Sequence, residues 1–321
     1  MKVTICMLTY NHEHYLAQAI ESVLMQEVDF DFELVISEDF STDQTLKIAQ
    51  EYAARYPNTI RVVSHKTNVG MVPNFLSVFN AYTAEYFAIL DGDDFWMSPY
   101  KLQAQVDFLD SHPDYTLCIT RAVCVLAETN TIVRYLPFTD RDVFTFKDLI
   151  KYDQFAVSST MYRRNLIGKL PEDEYVQLTL PDWPLHLLFL NHGPGACLPE
   201  VMTGYRQHRK SVSSNMSNVV LIEGALDVLD FVQRHVGHHR RPIIIEARLK
   251  IYLGTALRFG LKGNIRLAAT YVKRGLSSVP VSMWFSFFPL RIVGSAAAFV
   301  VRRIVGRISK SSTSLTGAER A

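Results

Sequence analysis

The run Tyr86-Phe87-Ala88-Ile89-Leu90-Asp91-Gly92-Asp93-Asp94-Phe95-Trp96 carries the densest chemistry in the chain. Its first five residues are apolar or aromatic and predict a buried strand. That strand delivers three carboxylates within four positions, where mutual repulsion and desolvation make them costly to hold together. A divalent cation among the oxygens removes that cost, and Mg²⁺ or Mn²⁺ takes ligands of this kind. Gly92 leaves room for a ligand to approach the backbone. A solvated acidic turn explains Asp-Gly-Asp-Asp equally well when it is taken alone, so the choice depends on what else converges on the same place.

Two further polar clusters do. Thr9-Tyr10-Asn11 follows the apolar run Val3–Leu8, and Glu38-Asp39 follows another that ends at Ser37. The spacing predicts strands near 3–8, 32–37, 60–64, 86–90 and 116–120, with helices near 13–25, 43–56, 73–83 and 99–111. Strands and helices alternating in this way make a parallel, doubly wound α/β sheet, which binds ligands beyond the carboxyl ends of its strands. All three clusters fall at those ends. Ser41, Thr42 and Asp43 fit the start of the next helix; Glu38 and Asp39 precede that cap and are not explained by it. After residue 120 the pattern loosens, with strands expected at 131–135, 156–162 and 201–205 and helices near 145–151 and 183–191. From 217 it reads as helices, at 217–236, 242–260 and 263–277.

Apolar residues are 48% of the 321 and charged residues 20%, enough for a substantial core and against disorder. The net charge of +1 hides two opposite halves. Residues 1–239 hold 18 of the 33 basic and 30 of the 32 acidic residues, whereas 240–321 hold 15 basic and 2 acidic. Cys6, Cys118, Cys124 and Cys197 lack metal-ligand spacing, and Cys6 and Cys118 sit in apolar runs, so buried free thiols in a reducing compartment are expected. The sequence opens on a strand rather than a signal-peptide pattern. It holds no GxxxxGK[ST] and no GxGxxG after a strand, which argues against kinase, ATPase and dehydrogenase chemistry.

In their order, Val3-Thr4-Ile5-Cys6-Met7-Leu8-Thr9-Tyr10-Asn11, Ile36-Ser37-Glu38-Asp39-Phe40-Ser41-Thr42-Asp43, Asn68-Val69-Gly70, Leu90-Asp91-Gly92-Asp93-Asp94, Pro181-Asp182-Trp183 and Tyr205 to Ser213 resemble a family 2 glycosyltransferase of the bacterial surface-polysaccharide type. The resemblance covers about residues 1–215. It implies a GT-A fold, a Rossmann-like, mostly parallel sheet flanked by helices, with a C-terminal helical extension at 216–278. It also implies a nucleotide-sugar donor, UDP before dTDP, held by Thr9, Tyr10, Asn11, Glu38, Asp39, Asn68, Asp91 and Arg206. Asp39 is then the acceptor for the base ring N–H, and Glu38 departs from the commoner Asp at its position. Asp93, Asp94 and His208 are the implied ligands of Mg²⁺ or Mn²⁺, and Asp182 is the implied general base for an inverting transfer. The chemistry is coherent, since the diphosphate leaving group needs its charge neutralised and an alcohol acceptor needs a base. Asp182 also fits a helix cap. A sugar nucleotidyltransferase and a non-catalytic sugar-nucleotide-binding scaffold at the membrane are the alternatives. The first would show an early Gly-rich basic loop, which residues 9–15 lack, and the second has no use for a base.

Residues 279–321 join Trp284, Phe285, Phe287 and Phe288 to Arg302, Arg303, Arg307 and Lys310. Pro289 and Arg291 interrupt the apolar stretch, which fits an interfacial segment better than a span. The expected partners are a nucleotide sugar, a saccharide or lipid-linked acceptor and a membrane surface, with no nucleic acid. The expected location is cytoplasmic, peripheral at the inner face of the plasma membrane. The Ser/Thr-rich stretch 309–316 reads as disordered.

Overall fold

Val3–Thr9 (β1) is buried along nearly its whole length, because it runs between two parallel neighbours with helices covering the sheet. The computed structural model describes residues 1–137, 139–208 and 216–280. After β1 come α1 (Leu16–Leu24), β2 (Phe32–Glu38), α2 (Thr45–Arg55), β3 (Ile60–Ser64), α3 (Met71–Phe79), β4 (Tyr86–Asp91), β5 (Phe95–Trp96) and α4 (Lys101–Ser111). The chain continues with β6 (Leu117–Leu126), β7 (Thr131–Leu136), β8 (Val143–Phe144), α5 (Phe146–Leu149), β9 (Thr160–Arg163), α6 (Glu172–Tyr175), α7 (Asp182–Leu190) and β10 (Gly195–Gln207). Three longer helices close it: α8 (Asn218–His235), α9 (Arg241–Leu261) and α10 (Ile265–Ser277).

The sheet runs β3-β2-β1-β4-β9-β6-β10-β5, with β7 added to β6 and β8 to β10. β3, β2, β1 and β4 are all parallel. The chain winds outward from β1 through β2 to β3 and then returns to the other side of β1 as β4. That reversal opens a crevice at the carboxyl ends of β1 and β4. The core forms by helical periodicity meeting strand burial. Leu16, Ala19, Ile20 and Val23, one stripe of α1, cluster with Val3, Ile5 and Met7 of β1 and with Leu34, Ile36, Ala88 and Leu90. Burying each of the larger side chains contributes about 1.5–3 kcal/mol. All four cysteines are buried and unpaired.

The expected rhythm breaks after β4. The strand read at 156–162 is a 3-10 turn at Val157–Ser159 followed by β9, which lies antiparallel between β4 and β6. The strand read at 201–205 is 13 residues long and bends through two register irregularities between Leu198 and Thr203. The short strands β5 and β8 carried no periodic signal, being two residues each.

Two compact units are present, Met1–Val236 and a second beginning at Gly237. The first of these units includes α8. α8 belongs to the first unit through α7 and through its C-terminal turns: Phe231 meets Tyr175 edge-on at 5.4 Å, and Arg234 pairs with Glu174. In the second unit α9 and α10 pack together, with Phe259 stacked on Tyr271 and Asn264 capping α10 through Leu267 N–H. Among the described residues no helix is long and apolar enough to cross a membrane. The aromatic and basic segment from Met283 onward, the Ser/Thr-rich stretch and the loop at 209–215 lie outside the described residues.

Candidate active site

The loops after β1, β2 and β4 are stitched together at the crevice. Gly92 N–H donates to Leu8 C=O at 2.7 Å and Asp39 N–H to Thr9 C=O at 3.1 Å. Asn11 N–H donates to Ser41 Oγ at 2.9 Å, and Asn11 Oδ1 accepts from Thr42 N–H at 2.8 Å. The three polar clusters thus form one surface, as their shared edge predicts. Thr9 is buried within it, Tyr10 is exposed at its lip, and Asn68 is exposed on the loop leading to α3.

Each carboxylate has a distinct environment. Asp39 Oδ1 accepts from Val69 N–H at 2.7 Å and Oδ2 from Gly70 N–H at 2.9 Å, so it fixes the loop before α3. Glu38 is buried, and its oxygens accept from Ser41 N–H at 2.6 Å and Phe40 N–H at 3.2 Å. It shapes the turn after β2 rather than reaching a donor. Asp91 ends β4, and burial together with the charges of Asp93, Asp94 and Asp182 pushes its pKa well above the usual range.

Asp93 and Asp94 diverge. Burial works to raise Asp93, but the His208 hydrogen bond and the His12 imidazole outweigh it and hold the carboxyl below its usual range. His208 Nε2 lies 2.9 Å and His12 Nε2 3.8 Å from Asp93 Oδ2. Asp94, the other expected metal ligand, faces the protein in this structure. It is 1% exposed and turns inward, Oδ2 accepting from Ser158 Oγ at 2.6 Å and Oδ1 from Arg206 N–H at 2.7 Å. Each of its oxygens thus has one partner inside the protein.

Arg206, the expected diphosphate contact, is held by groups of the protein itself. Its guanidinium donates to Asp93 C=O and to Gln18 Oε1, the latter at 2.7 Å, and lies between the rings of Tyr15 and Phe95 at 4.7 and 4.9 Å. It is a clamp on the Asp91–Asp94 loop. His12, Tyr15, Gln18 and Ser158 complete that loop's surroundings and were not singled out in the sequence. Only His12, three residues past Thr9 at the same sheet edge, offered a signal.

Among the described residues no group of three or more His, Cys, Asp or Glu side chains is arranged to hold a metal ion. Asp93 and His208 supply one oxygen and one nitrogen donor. A carboxylate such as Asp93 completed by a diphosphate and water is the usual arrangement for Mg²⁺, and His208 adds a nitrogen donor beside it.

Asp182 opens α7 and lines a pocket with Asp91, Leu8, Met71, Val72, Phe75, Ile89, Val157, Pro181 and Leu185. Two carboxylates distant in sequence therefore share one apolar recess. Asp182 is open to solvent on the recess side yet crowded by protein on the others, and this crowding raises its pKa to about 6, with His186 lowering it and Asp153 raising it. A carboxylate so tuned is poised to take a proton near neutral pH. His186, one turn on, is fully buried with Nδ1 3.1 Å from Asp153 Oδ2.

Gly92 is required by close approach. A Cβ there would sit 2.8 Å from Thr9 Oγ1, 2.9 Å from Thr9 Cβ and 3.0 Å from His12 Nδ1. Gly92→Ala is expected to lower stability by about 1–3 kcal/mol, read as an earlier urea midpoint. An unchanged midpoint would show that the loop has slack.

Residues 4–170 match the sequence model of the family described as Glycosyl transferase family 2. An uncharacterized protein of Mycobacterium tuberculosis is 34% identical over 211 residues, which are 65% of this chain and 60% of that protein. The chain thus spans about 60% of the length of the curated relative it matches. Among solved structures, S. aureus TarS 1–349 in complex with UDP-GlcNAc has a TM-score of 0.59 at 18% identity, covering 88% of this chain and 93% of that one. The mannosyltransferase PcManGT of Pyrobaculum calidifontis, in complex with GDP-Man and Mn²⁺, has a TM-score of 0.56 at 15% identity, covering 99% and 88%. At these identities the likeness is one of fold, the GT-A fold that the motifs imply.

Proposed function

This chain belongs to glycosyl transferase family 2, and on that premise we propose that it moves a sugar from a UDP-sugar to a saccharide or lipid-linked acceptor with inversion, in building a bacterial surface polysaccharide. The observation that carries the reading is the recess shared by Asp182 and Asp91 at the switch point of the sheet. The sugar lies between the loop that receives its diphosphate and a carboxylate able to deprotonate the incoming hydroxyl. The complexes of TarS with UDP-GlcNAc and of PcManGT with GDP-Man support a nucleotide-sugar donor.

The residues divide the work. Asp182 takes the acceptor proton as the new bond forms on the face opposite the departing diphosphate. The raised pKa of Asp91 suits a hydrogen-bonding contact to the donor. Asp93 and His208 would hold Mg²⁺ or Mn²⁺, which when bound neutralises charge developing on the leaving group. Arg206 keeps the loop that presents Asp93 in one conformation.

The test is release of UDP from a set of UDP-sugars in Mn²⁺, with and without saccharide acceptors. Release that depends on the sugar and rises with acceptor is expected, and the absence of binding to UDP, dTDP and GDP alike would sink the reading. Excess EDTA is expected to weaken UDP binding at least tenfold, about 1.4 kcal/mol; equal affinity by calorimetry would remove the cation. Attachment to the inner face of the plasma membrane through residues 279–321 belongs to the same proposal, with co-sedimentation on anionic vesicles as its check.

A further inference from the structure

Phe40 occupies a backbone conformation that its side chain does not favour. Its φ is +60°, in the left-handed region where glycine sits freely and a bulky residue is an outlier. Asn11, on the facing loop, is left-handed too, at +56°, but asparagine tolerates that region. The Phe40 conformation is imposed from outside. Buried Glu38 accepts both the Phe40 and the Ser41 N–H, so one carboxylate is committed to holding this turn.

The ring gains nothing visible in return from the protein core, since Phe40 is 51% exposed. On the loops that meet its own, Tyr10 is 41%, Val69 37% and Met71 43% exposed. Hydrogen bonds fix how these meet. Thr9 C=O holds Asp39 N–H and Asn11 N–H holds Ser41 Oγ, which ties the backbone at Tyr10 to the backbone at Phe40. Asp39 holds the Val69 and Gly70 amides, which brings the other two residues to the same carboxylate. Exposed apolar side chains on the loops tied to one buried carboxylate, with backbone strain kept at one of them, are the pattern of a surface that a ligand completes.

We infer that Phe40 is a contact residue for the planar base of the nucleotide donor, stacking on one face of it beside Tyr10. This inference rests on the nucleotide-donor reading above and names a residue that reading did not include. A flat π-face suits Phe40 because stacking needs area and orientation but no partner for a polar group.

The experiment compares wild type with Phe40→Gly, Phe40→Leu and Phe40→Tyr, measuring UDP and inorganic pyrophosphate affinity in Mn²⁺ by calorimetry, and Tm. Phe40→Gly is expected to bind UDP about tenfold more weakly, to bind pyrophosphate as wild type does, and to melt higher because the strain is relieved. Phe40→Leu, which keeps the strain and loses the plane, is expected to show the same loss without the gain in Tm. Phe40→Tyr is expected to retain affinity. Wild-type UDP affinity in Phe40→Gly and Phe40→Leu would overturn the inference, and so would an equal loss of UDP and pyrophosphate, which marks a collapsed loop. Failure of wild type itself to bind UDP, dTDP or GDP overturns the donor reading and the inference with it, and is distinguishable because no variant is needed to see it.

Discussion

Asp182→Asn is expected to bind UDP as wild type does while sugar transfer falls by about 10²–10⁴, the usual contribution of a general base. The change is nearly isosteric and removes only the proton acceptor. A capping role makes the opposite forecast, because Asn caps a helix as well as Asp does, and α7 shows no side-chain cap hydrogen bond that would need preserving. The pH profile supplies the second half of the measurement. A base must be deprotonated to act, and the Asp182 pKa is raised to about 6. Wild-type turnover at low donor concentration should therefore be full well above pH 6 and fall about tenfold per unit below it. The residual rate of Asp182→Asn should lack that limb. Wild-type turnover in the variant would transfer the base role to another carboxylate.

Arg206→Ala should act on the fold more than on the donor. Its guanidinium sits between two rings and holds a carbonyl of the acidic loop, and its charge faces buried Asp94. Removing it leaves Asp93 C=O and Gln18 Oε1 without their donor, at a typical cost of about 1–3 kcal/mol for each buried group left unpaired. Arg206→Lys should recover little, since an ammonium neither stacks nor forks. Chemical denaturation with UDP titration decides the matter. Unchanged stability with weakened UDP binding would return Arg206 to the diphosphate contact that the motif implies.

The first half of the sheet was legible because β1 to β4 obey two local rules, apolar strand runs and helices with a single buried stripe. The elements that escaped depend on distant partners. β9 is short and gains its identity by antiparallel pairing with β4 and β6. β10 hides behind Pro199 and Glu200, where its register slips. The site divides in the same way. That the clusters after β1, β2 and β4 meet follows from parallel topology alone. The direction each carboxylate faces does not: Asp94 turns inward because of Ser158 and Arg206, which lie 64 and 112 residues away. No spacing near Asp94 records them. Asp39 was read as a base contact, and its bonds to Val69 and Gly70 were invisible for the same reason.

Those two bonds have a consequence for length. Gly70 immediately precedes α3, and the first turn of α3, through Met71 and Val72, walls the recess at Asp182. The edge of β2 and the recess are therefore joined by one short, tied connection instead of two loops free to drift apart. Such a joint behaves as a ruler. A donor held at both ends, as proposed above, then spans an interval that this connection sets.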